Sequence, residues 1–375
     1  MNLTTPVAGD VRHAGMPPID LTHRPVSFFE FWPPKLIYAP AALYWVWLSL
    51  RYRSFTLPTI ANPGIHGGGL SGESKSQVLG AAGPKVQALV APFAVFEKPA
   101  RPHATEEAFA AAERAMGDKR LDFPVVAKPD IGCRGAGVRV VRNAHELRDY
   151  VARFPEGASL LVQKLVDLEG EAGVFYVRMP GDEKGTIPSL TLKYFPYVTG
   201  DGKRTIEELI RADPRAGKIP HVFFPRHRDR LTEILTAGQR FRLAFAGNHG
   251  RGVIFRDGTH LVTEALRARI DEIAHDIDGF YFGRFDVRFA DFSELLAGRN
   301  FTIIEFNGAG AEFTHFWDPK HGFIKALSEM FRQYRTVFEV AAANRKRGYK
   351  PMPMKDLEAM RVREERLTKL YPETQ

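Results

Sequence analysis

The sequence is poor in cysteine, with Cys133 as the only one among its 375 residues. An intrachain disulfide and a metal site built from several cysteines are therefore both excluded. A single thiol fits a reducing cytosol, and we expect the protein to be cytoplasmic. The first 24 residues are polar and interrupted by prolines, so we expect no signal peptide there.

The sequence also lacks an apolar run long enough for an ordinary transmembrane helix. Residues 36–50 (LIYAPAALYWVWLSL) are apolar and bounded by Lys35 and Arg51. As a helix they would span roughly 22 Å, which is less than the ~30 Å hydrocarbon core of a bilayer. The aromatic side chains and basic flanks suit a helix lying on the inner face of a membrane. A core helix that covers a neighbouring sheet explains the same composition, and both interpretations stay open.

Overall composition is that of a folded protein with room for one large domain or two to three smaller ones. It is 44% hydrophobic and 26% charged, a composition that provides for a substantial core and argues against global disorder. The net charge of +8 suggests anionic partners. No recognised base-reading or RNA-binding motif accompanies this charge, so we do not expect nucleic acid to be a partner.

Positive charge is concentrated in two regions. Residues 201–256 carry twelve Lys and Arg against six Asp and Glu, and residues 341–375 carry nine against five. We expect the second excess to be a solvated helix or tail. The first excess could line an anionic substrate pocket or form a solvated face, and the sequence favours neither. Its residues of interest are Arg242, His249, Arg251 and Arg256.

Two strand-like runs in residues 281–307 (YFGRFDVRFADFSELLAGRNFTIIEFN) flank a polar connection. Alternation along the first run places Arg284, Asp286 and Arg288 on one face and apolar residues on the other. The apolar face predicts a strand that is buried on one side. We therefore expect the two runs to pair as a hairpin that turns near residues 293–296.

The second run would complete a polar site on this hairpin. Alternation places Glu305 and Asn307 on one face, with Thr302 and Ile304 opposite. In the predicted pairing, Asp286 lies across from Glu305. Two carboxylates and an amide oxygen are hard ligands of the kind that Mg²⁺ binds, and Mg²⁺ shares its remaining positions with phosphates and water.

A solvated antiparallel hairpin with a charged face is the alternative explanation for this segment. Three features favour the metal site. The flanking residues are apolar, which predicts a central strand pair. Asn307 runs into the small-residue loop GAGAEFTHF, where a ligand can approach the backbone closely. The third feature is a loop of phosphate-binding character far upstream.

That upstream loop lies in residues 123–142 (FPVVAKPDIGCRGAGVRVVR). A buried strand leads to Lys128, a loop with Gly132, Gly135 and Gly137 follows, and a second strand returns. Glycines let backbone N–H groups approach an anion, and a lysine supplies a point charge to phosphate. An ordinary glycine-rich hairpin is the alternative.

The loop does not match the common nucleotide motifs. No Gly-Lys-Ser/Thr occurs in it, so it is not a Walker A loop, and a strand rather than a helix follows, so it is not a Rossmann fingerprint. We expect Cys133 to be a small filler here rather than a nucleophile, because no histidine is near it in the sequence.

The remaining elements are predicted from periodicity and capping residues. We expect a helix after Ser71 or Ser74, a helix capped by Asn143 with Glu146, and a helix over residues 263–278 with one apolar stripe. The further expected strands are residues 159–166, 174–179 and 189–198, with an acidic turn (DLEGEAG) between the first two, and the last long helix is residues 324–343.

Taken in order, these segments resemble the ATP-grasp superfamily, most closely the D-alanine–D-alanine ligases and the cyanophycin-synthetase-like carboxylate–amine ligases. The resemblance covers about residues 73–316. It rests on GESKSQVL, FPVVAKP with its glycine loop, LVQKLVDLEGE, LKYFPYVTGDGKRTIEELI, GRFDVR and IIEFNGAG. Each motif is weak alone, and their order and spacing make the set specific.

The resemblance implies a role for particular residues in this chain. Lysines and loop glycines would contact the ATP phosphates: Lys75, Lys128, Lys193, Gly132, Gly135 and Gly137. A hinge would hold adenine and a carboxylate would bind ribose: Gln163, Lys164, Val166 and Glu171. Arg284 would stabilise the acylphosphate step together with Lys128 and Lys193. The implied Mg²⁺ ligands are Asp286, Glu305 and Asn307, with Mn²⁺ as an alternative ion.

The implied fold class is α+β, an ATP-grasp fold in which two α/β subdomains clasp ATP between antiparallel sheets. The expected divisions are an atypical N-terminal segment (1–72) containing the apolar helix, a small subdomain with its preceding region (73–165), a C-terminal lobe with the metal site (166–343) and a basic tail (344–375). Two departures from the family affect the substrate: the N-terminal segment replaces a Rossmann-like domain, and GAGAEFTH replaces the serine-bearing loop of D-alanine ligases.

The activity implied is a ligase that uses ATP and Mg²⁺ to join a small carboxylate to an amine through an acylphosphate, releasing ADP and phosphate. An amino acid, a peptide, or a wall or lipid precursor would be the substrate. Two alternatives stay open. One is an ATP-grasp kinase acting on a small-molecule hydroxyl, and the other is a non-catalytic nucleotide-binding protein associated with a membrane.

Overall fold

The computed structural model describes residues 13–19 and 26–374. Much of the polar stretch at residues 1–24, where no signal peptide was expected, therefore lies outside the described residues. The helices are α1 (Pro34–Arg51), α2 (Lys75–Gly80), α3 (Pro84–Gln87), α4 (Thr105–Asp118), α5 (Ala144–Arg153), α6 (Ile206–Ala212), α7 (Pro220–Phe223), α8 (Glu264–His275), α9 (Phe292–Leu296), α10 (Phe323–Lys346) and α11 (Met354–Thr368). The strands are β1 (Phe93–Glu97), β2 (Val125–Pro129), β3 (Arg139–Val141), β4 (Ser159–Lys164), β5 (Gly170–Val177), β6 (Thr186–Tyr194), β7 (Tyr197–Thr199), β8 (Arg240–Arg242), β9 (Ile254–Asp257), β10 (Phe282–Phe289) and β11 (Phe301–Asn307).

The first lobe is a four-stranded antiparallel sheet in the order β1-β4-β2-β3, with α4 and α5 packed against it. Helix α4 buries Ala108, Ala112 and Met116, which recur at four-residue intervals and so share one face. The predicted hairpin around the glycine loop is confirmed, since Val125 pairs with Val141. The polar residues of the loop are thereby held at the edge of a rigid sheet.

The second lobe is a five-stranded antiparallel sheet in the order β11-β10-β5-β6-β9. Helix α8 covers one face and buries Leu266, Ile270 and Ile273, the apolar stripe that was predicted, while Thr263 caps its first turn. The apolar residues of β10 also point to this covered face, because Phe285, Val287 and Phe289 are fully buried there. The polar residues of the same strands are left on the opposite face.

The predicted pairing of the hairpin in residues 281–307 is confirmed, with Asp286 opposite Glu305. The sequence-based placement of Thr302 and Ile304 was wrong, because a bulge shifts the register between Asp286 and Val287. The extra residue brings Ile304 to the polar side with Glu305. In β11, the alternation of side chains between the two faces of the sheet is therefore interrupted at the bulge.

Helix α1 buries Ile37, Ala41 and Leu48 in a third core region, as the core-helix interpretation expected, but its main neighbour is helix α10 and not a sheet. Its other side remains apolar and exposed, and Leu43 is 74% accessible. In residues 13–19 and 26–374, none of the helices is both long enough and apolar enough to cross a bilayer. One face of the helix is therefore part of the core, and the other is exposed.

The basic C-terminal region differs from the expected solvated tail. Helix α11 is mostly exposed, but Leu367 is buried in the core of the first lobe. The Tyr371 hydroxyl donates a hydrogen bond to the Ile131 carbonyl at 2.6 Å. The region therefore folds back onto the glycine loop.

The acidic turn expected between the strands at residues 159–166 and 174–179 also differs from the prediction, because Glu171 lies within β5 and is buried.

Candidate active site

A cleft of about 730 Å³ lies between the two sheets and is lined by residues from both lobes. Its volume is within the range of sites that bind small molecules. Lys128 and Glu305, which belong to different sheets and are far apart in sequence, both line it. The sequence-predicted site residues line the same cleft except for Gly137: Lys75, Lys128, Gly132, Gly135, Gln163, Lys164, Val166, Glu171, Lys193, Arg284, Asp286, Glu305 and Asn307.

The second sheet contributes a network of buried charges to the cleft. Lys193 on β6 donates hydrogen bonds to Glu171 at 2.9 Å and to Asp286 at 2.8 Å. Arg284 binds both oxygens of Asp286, with Nε at 3.0 Å and a terminal nitrogen at 3.1 Å. Arg288 lies 2.8 Å from the other oxygen of Glu171. These contacts hold the side chains in one arrangement because each charge has an opposite neighbour.

The network keeps its carboxyl groups ionised despite their burial. Desolvation opposes ionisation of Asp286, but Arg284 and Lys193 outweigh it and lower the pKa of Asp286 to about 2. The pKa of Glu171 is lowered in the same way, since Lys193 and Arg288 outweigh the effect of burial. The site therefore presents fixed charges at neutral pH.

A second set of cations lines the cleft: Lys128 on β2 of the first sheet and Lys75 at the start of α2. The Lys128 ammonium donates to the Gln163 side-chain oxygen at 2.9 Å and to the Ile304 carbonyl at 3.1 Å. Burial lowers the pKa of Lys128 to about 8, although Glu305 favours its charged form. The Lys75 ammonium donates a hydrogen bond to the Gly132 carbonyl and lies 3.9 Å from the Glu305 carboxylate. An ammonium has three donors, so Lys128 keeps one for a ligand.

The glycine loop is divided between the cleft and the C-terminal region. Gly132 and Gly135 line the cleft. Gly137 instead donates its backbone N–H to the Thr374 hydroxyl at 3.0 Å, while its carbonyl accepts from Tyr150 at 2.6 Å. It has a φ of +72°, which favours glycine. Its conformation serves the turn and its contact with Thr374 rather than the cleft.

The predicted adenine hinge lies where β4 leaves the sheet. Gln163 is buried, and its side chain is already occupied by Lys128 and by the Ala91 carbonyl at 3.1 Å. Lys164 is the last residue of the strand, and Leu165 and Val166 continue along the cleft. Beyond the strand, the backbone of these residues can offer N–H and C=O groups to a base.

The predicted metal ligands suit Mg²⁺ by their chemistry. Asp286 and Glu305 face each other across β10 and β11, and the Asn307 amide nitrogen is 3.5 Å from Asp286. In the part of the chain that the structure describes, no group of three or more His, Cys, Asp or Glu could hold a metal. The two carboxylates and one amide would fill only part of the coordination shell of Mg²⁺. Phosphate oxygens and water would supply its remaining ligands, which is usual for this ion.

Sequence reasoning missed a group of residues at the other end of the cleft. Glu30, Phe31, Tyr38 and Trp317 line it together with His249. Of the basic residues considered, only His249 lines the cleft, whereas Arg242 stacks on Phe195, and Arg251 and Arg256 lie elsewhere. Glu30 and His249 are separated by 219 positions, so only the fold brings them together. The aromatic content of the N-terminal segment was the one signal that sequence offered.

No protein-family model matches the chain, and no curated protein sequence matches it either. Solved structures do resemble it. A bifunctional glutathione synthetase from Pasteurella multocida is 15% identical with a TM-score of 0.33, and the match covers 69% of this chain and 36% of that one. A D-Ala:D-Ser ligase from Enterococcus faecalis is 14% identical with a TM-score of 0.34, covering 70% of this chain and 61% of that one. A D-alanine–D-alanine ligase from Bacillus anthracis is 13% identical with a TM-score of 0.40, covering 74% and 69%.

These neighbours include D-alanine–D-alanine ligases, the group that the sequence motifs resemble. The predicted arrangement is confirmed by the structure itself, in which two lobes with antiparallel sheets enclose one cleft. The chain spans less than two thirds of the length of the first two proteins. All three TM-scores are below 0.5, so no activity is inferred from them.

Proposed function

We propose that the protein is an ATP- and Mg²⁺-dependent carboxylate–amine ligase of the ATP-grasp type. The observation that carries the proposal is the cleft in which Lys128 of one sheet faces the Asp286–Glu305 pair of the other. Cations on both sides suit a polyphosphate, and paired carboxylates suit the divalent ion that accompanies it. When bound, Mg²⁺ would neutralise phosphate charge.

The proposed reaction has two steps. An oxygen of the carboxylate substrate attacks the γ-phosphorus of ATP, the bond to the bridging oxygen breaks, and ADP leaves with that electron pair. The amine nitrogen then attacks the acyl carbon of the acylphosphate. Phosphate leaves with the electrons of the broken C–O bond, and the proton lost by the amine passes to solvent. The products are an amide, ADP and inorganic phosphate.

The residues would act by position and charge. Lys75, Lys128 and the backbone near Gly132 would hold the phosphates from one side. Lys193 retains one donor beyond its two carboxylate partners and could bind a phosphate oxygen from the other side. Arg284, fixed by Asp286, would stabilise the charge that develops on the acylphosphate.

The remaining groups would bind the nucleoside. Residues 164–166 would bind adenine through their backbone after β4, with Gln163 supporting Lys128 rather than contacting the base. Glu171 would accept a ribose hydroxyl in addition to its contacts with Lys193 and Arg288. The metal would be held by Asp286, Glu305 and Asn307.

A direct test is ADP release by the purified protein with ATP, Mg²⁺ and pairs of amino acids or small peptides. We expect Arg284→Ala and Glu305→Gln to lower turnover by about 10²–10³, the usual effect of losing one transition-state contact. Glu97→Gln is the matched control, because Glu97 is an exposed carboxylate on β1 outside the cleft. Unchanged ADP release in both site variants would contradict the proposal.

The alternatives predict other products. An ATP-grasp kinase acting on a hydroxyl would consume ATP without releasing inorganic phosphate, so a phosphate assay alongside the ADP assay distinguishes it. A non-catalytic nucleotide-binding protein would bind ATP and release neither product with any substrate pair.

We also propose that the exposed face of α1 binds the surface of an anionic membrane. This face carries Leu43, Trp47 and Leu50, which are 74%, 50% and 63% accessible. Lys35 and Arg51 flank it, and basic residues beside an exposed apolar face suit an interfacial helix. We expect the protein to float with liposomes that contain anionic lipid, and Leu43→Glu with Trp47→Glu to abolish this. Equal flotation of the variant would exclude α1 as the contact.

A further inference from the structure

The cleft extends beyond the charged network into a chamber with aromatic and aliphatic walls. The chamber is formed partly by the segment before α1 and partly by loops of the second lobe, so neither sheet alone creates it. Its principal apolar side chains are Phe31, Trp32, Ile37, Ile219, Phe255 and Trp317. Ile219, Phe255 and Trp317 are nearly inaccessible, which makes this wall part of the core and therefore fixed in shape.

A histidine is clamped within this chamber. The His249 ring stacks on Trp317 with the ring centres 4.3 Å apart and the planes 16° apart. The His249 ring is also stacked on Phe31, with ring centres 5.9 Å apart and planes 13° apart. Its Nε2 donates to Glu30 at 3.0 Å, and Glu30 also binds the buried Arg215. Arg215 and Glu30 form an ion pair that neutralises both charges. This part of the chamber wall is therefore aromatic and carries no net charge.

One carboxylate stands between the chamber and the charged network. The Tyr38 hydroxyl donates to Glu312 at 2.9 Å, and Tyr38 lies in the second turn of α1. The backbone carbonyl of Glu312 accepts from Arg284 at 3.3 Å. Glu312 therefore joins the reacting end of the cleft to the chamber. A carboxylate at this position attracts an ammonium group and repels a second carboxylate.

We propose that the amine substrate is a primary amine with an aromatic or large apolar body, whose ammonium group binds Glu312 and whose body fills the chamber against Phe31 and Trp317. This inference rests on the proposed ligase function and names its acceptor. A small amine would leave the accessible part of Phe31, which is 37% exposed, in contact with water. An acid with the same aromatic group would place its carboxylate beside the Glu312 carboxylate, and the two negative charges would repel each other.

The test compares three probes by calorimetry on the full chain with a non-hydrolysable ATP analogue and Mg²⁺: 2-phenylethylamine, ethylamine and 3-phenylpropionate. We expect phenylethylamine to bind at least about 10-fold more tightly than ethylamine, since even small differences in apolar contact give factors of 10 or more. We expect phenylpropionate to bind more weakly than phenylethylamine by a similar factor. Equal binding of the two amines, or tighter binding of the acid, would overturn the proposal.

Two variants locate the probe. Phe31→Ala should weaken phenylethylamine by about 10-fold and leave ethylamine unchanged, because Phe31 lines the cleft, is partly exposed there and carries no charge that an ammonium group could bind. Glu312→Gln should weaken both amines. Phe28→Ala is the matched control, since Phe28 is 72% accessible and does not line the cleft; a loss of binding in Phe28→Ala equal to that in Phe31→Ala would contradict the assignment.

The affinity of the ATP analogue, measured first and alone, separates the two proposals. If the analogue does not bind, the proposed ligase function fails. If it binds and the amines do not discriminate as described, the chamber assignment fails while the nucleotide site stands.

Discussion

Asp286 is the residue on which the charged network depends, because it is shared by Lys193 and Arg284. Lys193 in turn is shared by Asp286 and Glu171, and all of these groups are buried or nearly so. Such a chain of contacts fixes geometry, and it is also vulnerable to the loss of one member.

We therefore expect Lys193→Met to lower the free energy of unfolding by about 3–5 kcal/mol, because two buried carboxylates lose their common cation. Urea denaturation measures this. Lys164→Met is the control, since Lys164 is exposed. A change in Lys193→Met no larger than that in Lys164→Met would mean that the network contributes little to stability.

Lys128 should give nucleotide binding a pH dependence. Burial holds its pKa at about 8, so its ammonium is charged below that pH and becomes neutral above it. We expect the Kd for ATP of the wild-type protein to increase as pH rises through about 8. Lys128→Arg, which stays charged, should lack this inflection in a binding titration. A wild-type Kd that is constant from about pH 7 to about pH 9 would remove Lys128 from the phosphate site.

At the scale of elements, the sequence was sufficient to predict those features of helices and strands that follow from a local pattern of apolar and polar residues. Alternation in 281–307 predicted the Asp286–Glu305 pairing, and the stripe of α8 predicted its buried face. The bulge in β11 was not predictable, because a register shift depends on the neighbouring strand rather than on the alternation of the strand itself. Contacts between distant segments, such as Glu30 with His249, leave no periodic signal at all.

The contact between the C-terminal region and the glycine loop is an element-level feature with a testable effect. The Thr374 hydroxyl accepts from the Gly137 N–H and donates to the Gly135 carbonyl at 2.8 Å. We expect Thr374→Val to weaken ATP binding several-fold, because the loop loses contacts that order its backbone before the phosphate arrives. Thr199→Val, at an exposed position of β7, is the control. Unaltered ATP affinity would show that the loop does not need this support.

At the scale of the whole molecule, the N-terminal segment is joined to the second lobe by the buried Glu30. Although burial opposes its ionisation, the hydrogen bond from His249 and the charge of Arg215 lower the pKa of Glu30 to about 2. Because the folded-state pKa is depressed, this contribution is fully present above the ordinary glutamate pKa and is lost as pH falls through about 2.

We expect the wild-type protein to lose up to about 3 kcal/mol of stability through this group as pH falls from about 5 towards 2. Glu30→Gln should be less stable at neutral pH, since the buried ion pair between Glu30 and Arg215 is lost, and its stability should depend less on pH in the acid range. Urea midpoints at about pH 5 and about pH 3 measure both effects. Parallel acid profiles for the two proteins would contradict the depressed pKa.

The glycine loop is tethered by Tyr371 and Thr374, and the substrate chamber is walled by Phe31 and Tyr38. Sequence positions near opposite ends of the described chain thus meet around one ligand site. A fragment trimmed to the two sheets would lack both the N-terminal residues that line the chamber and the C-terminal residues that bind the glycine loop. Recombinant work on this protein should retain both ends.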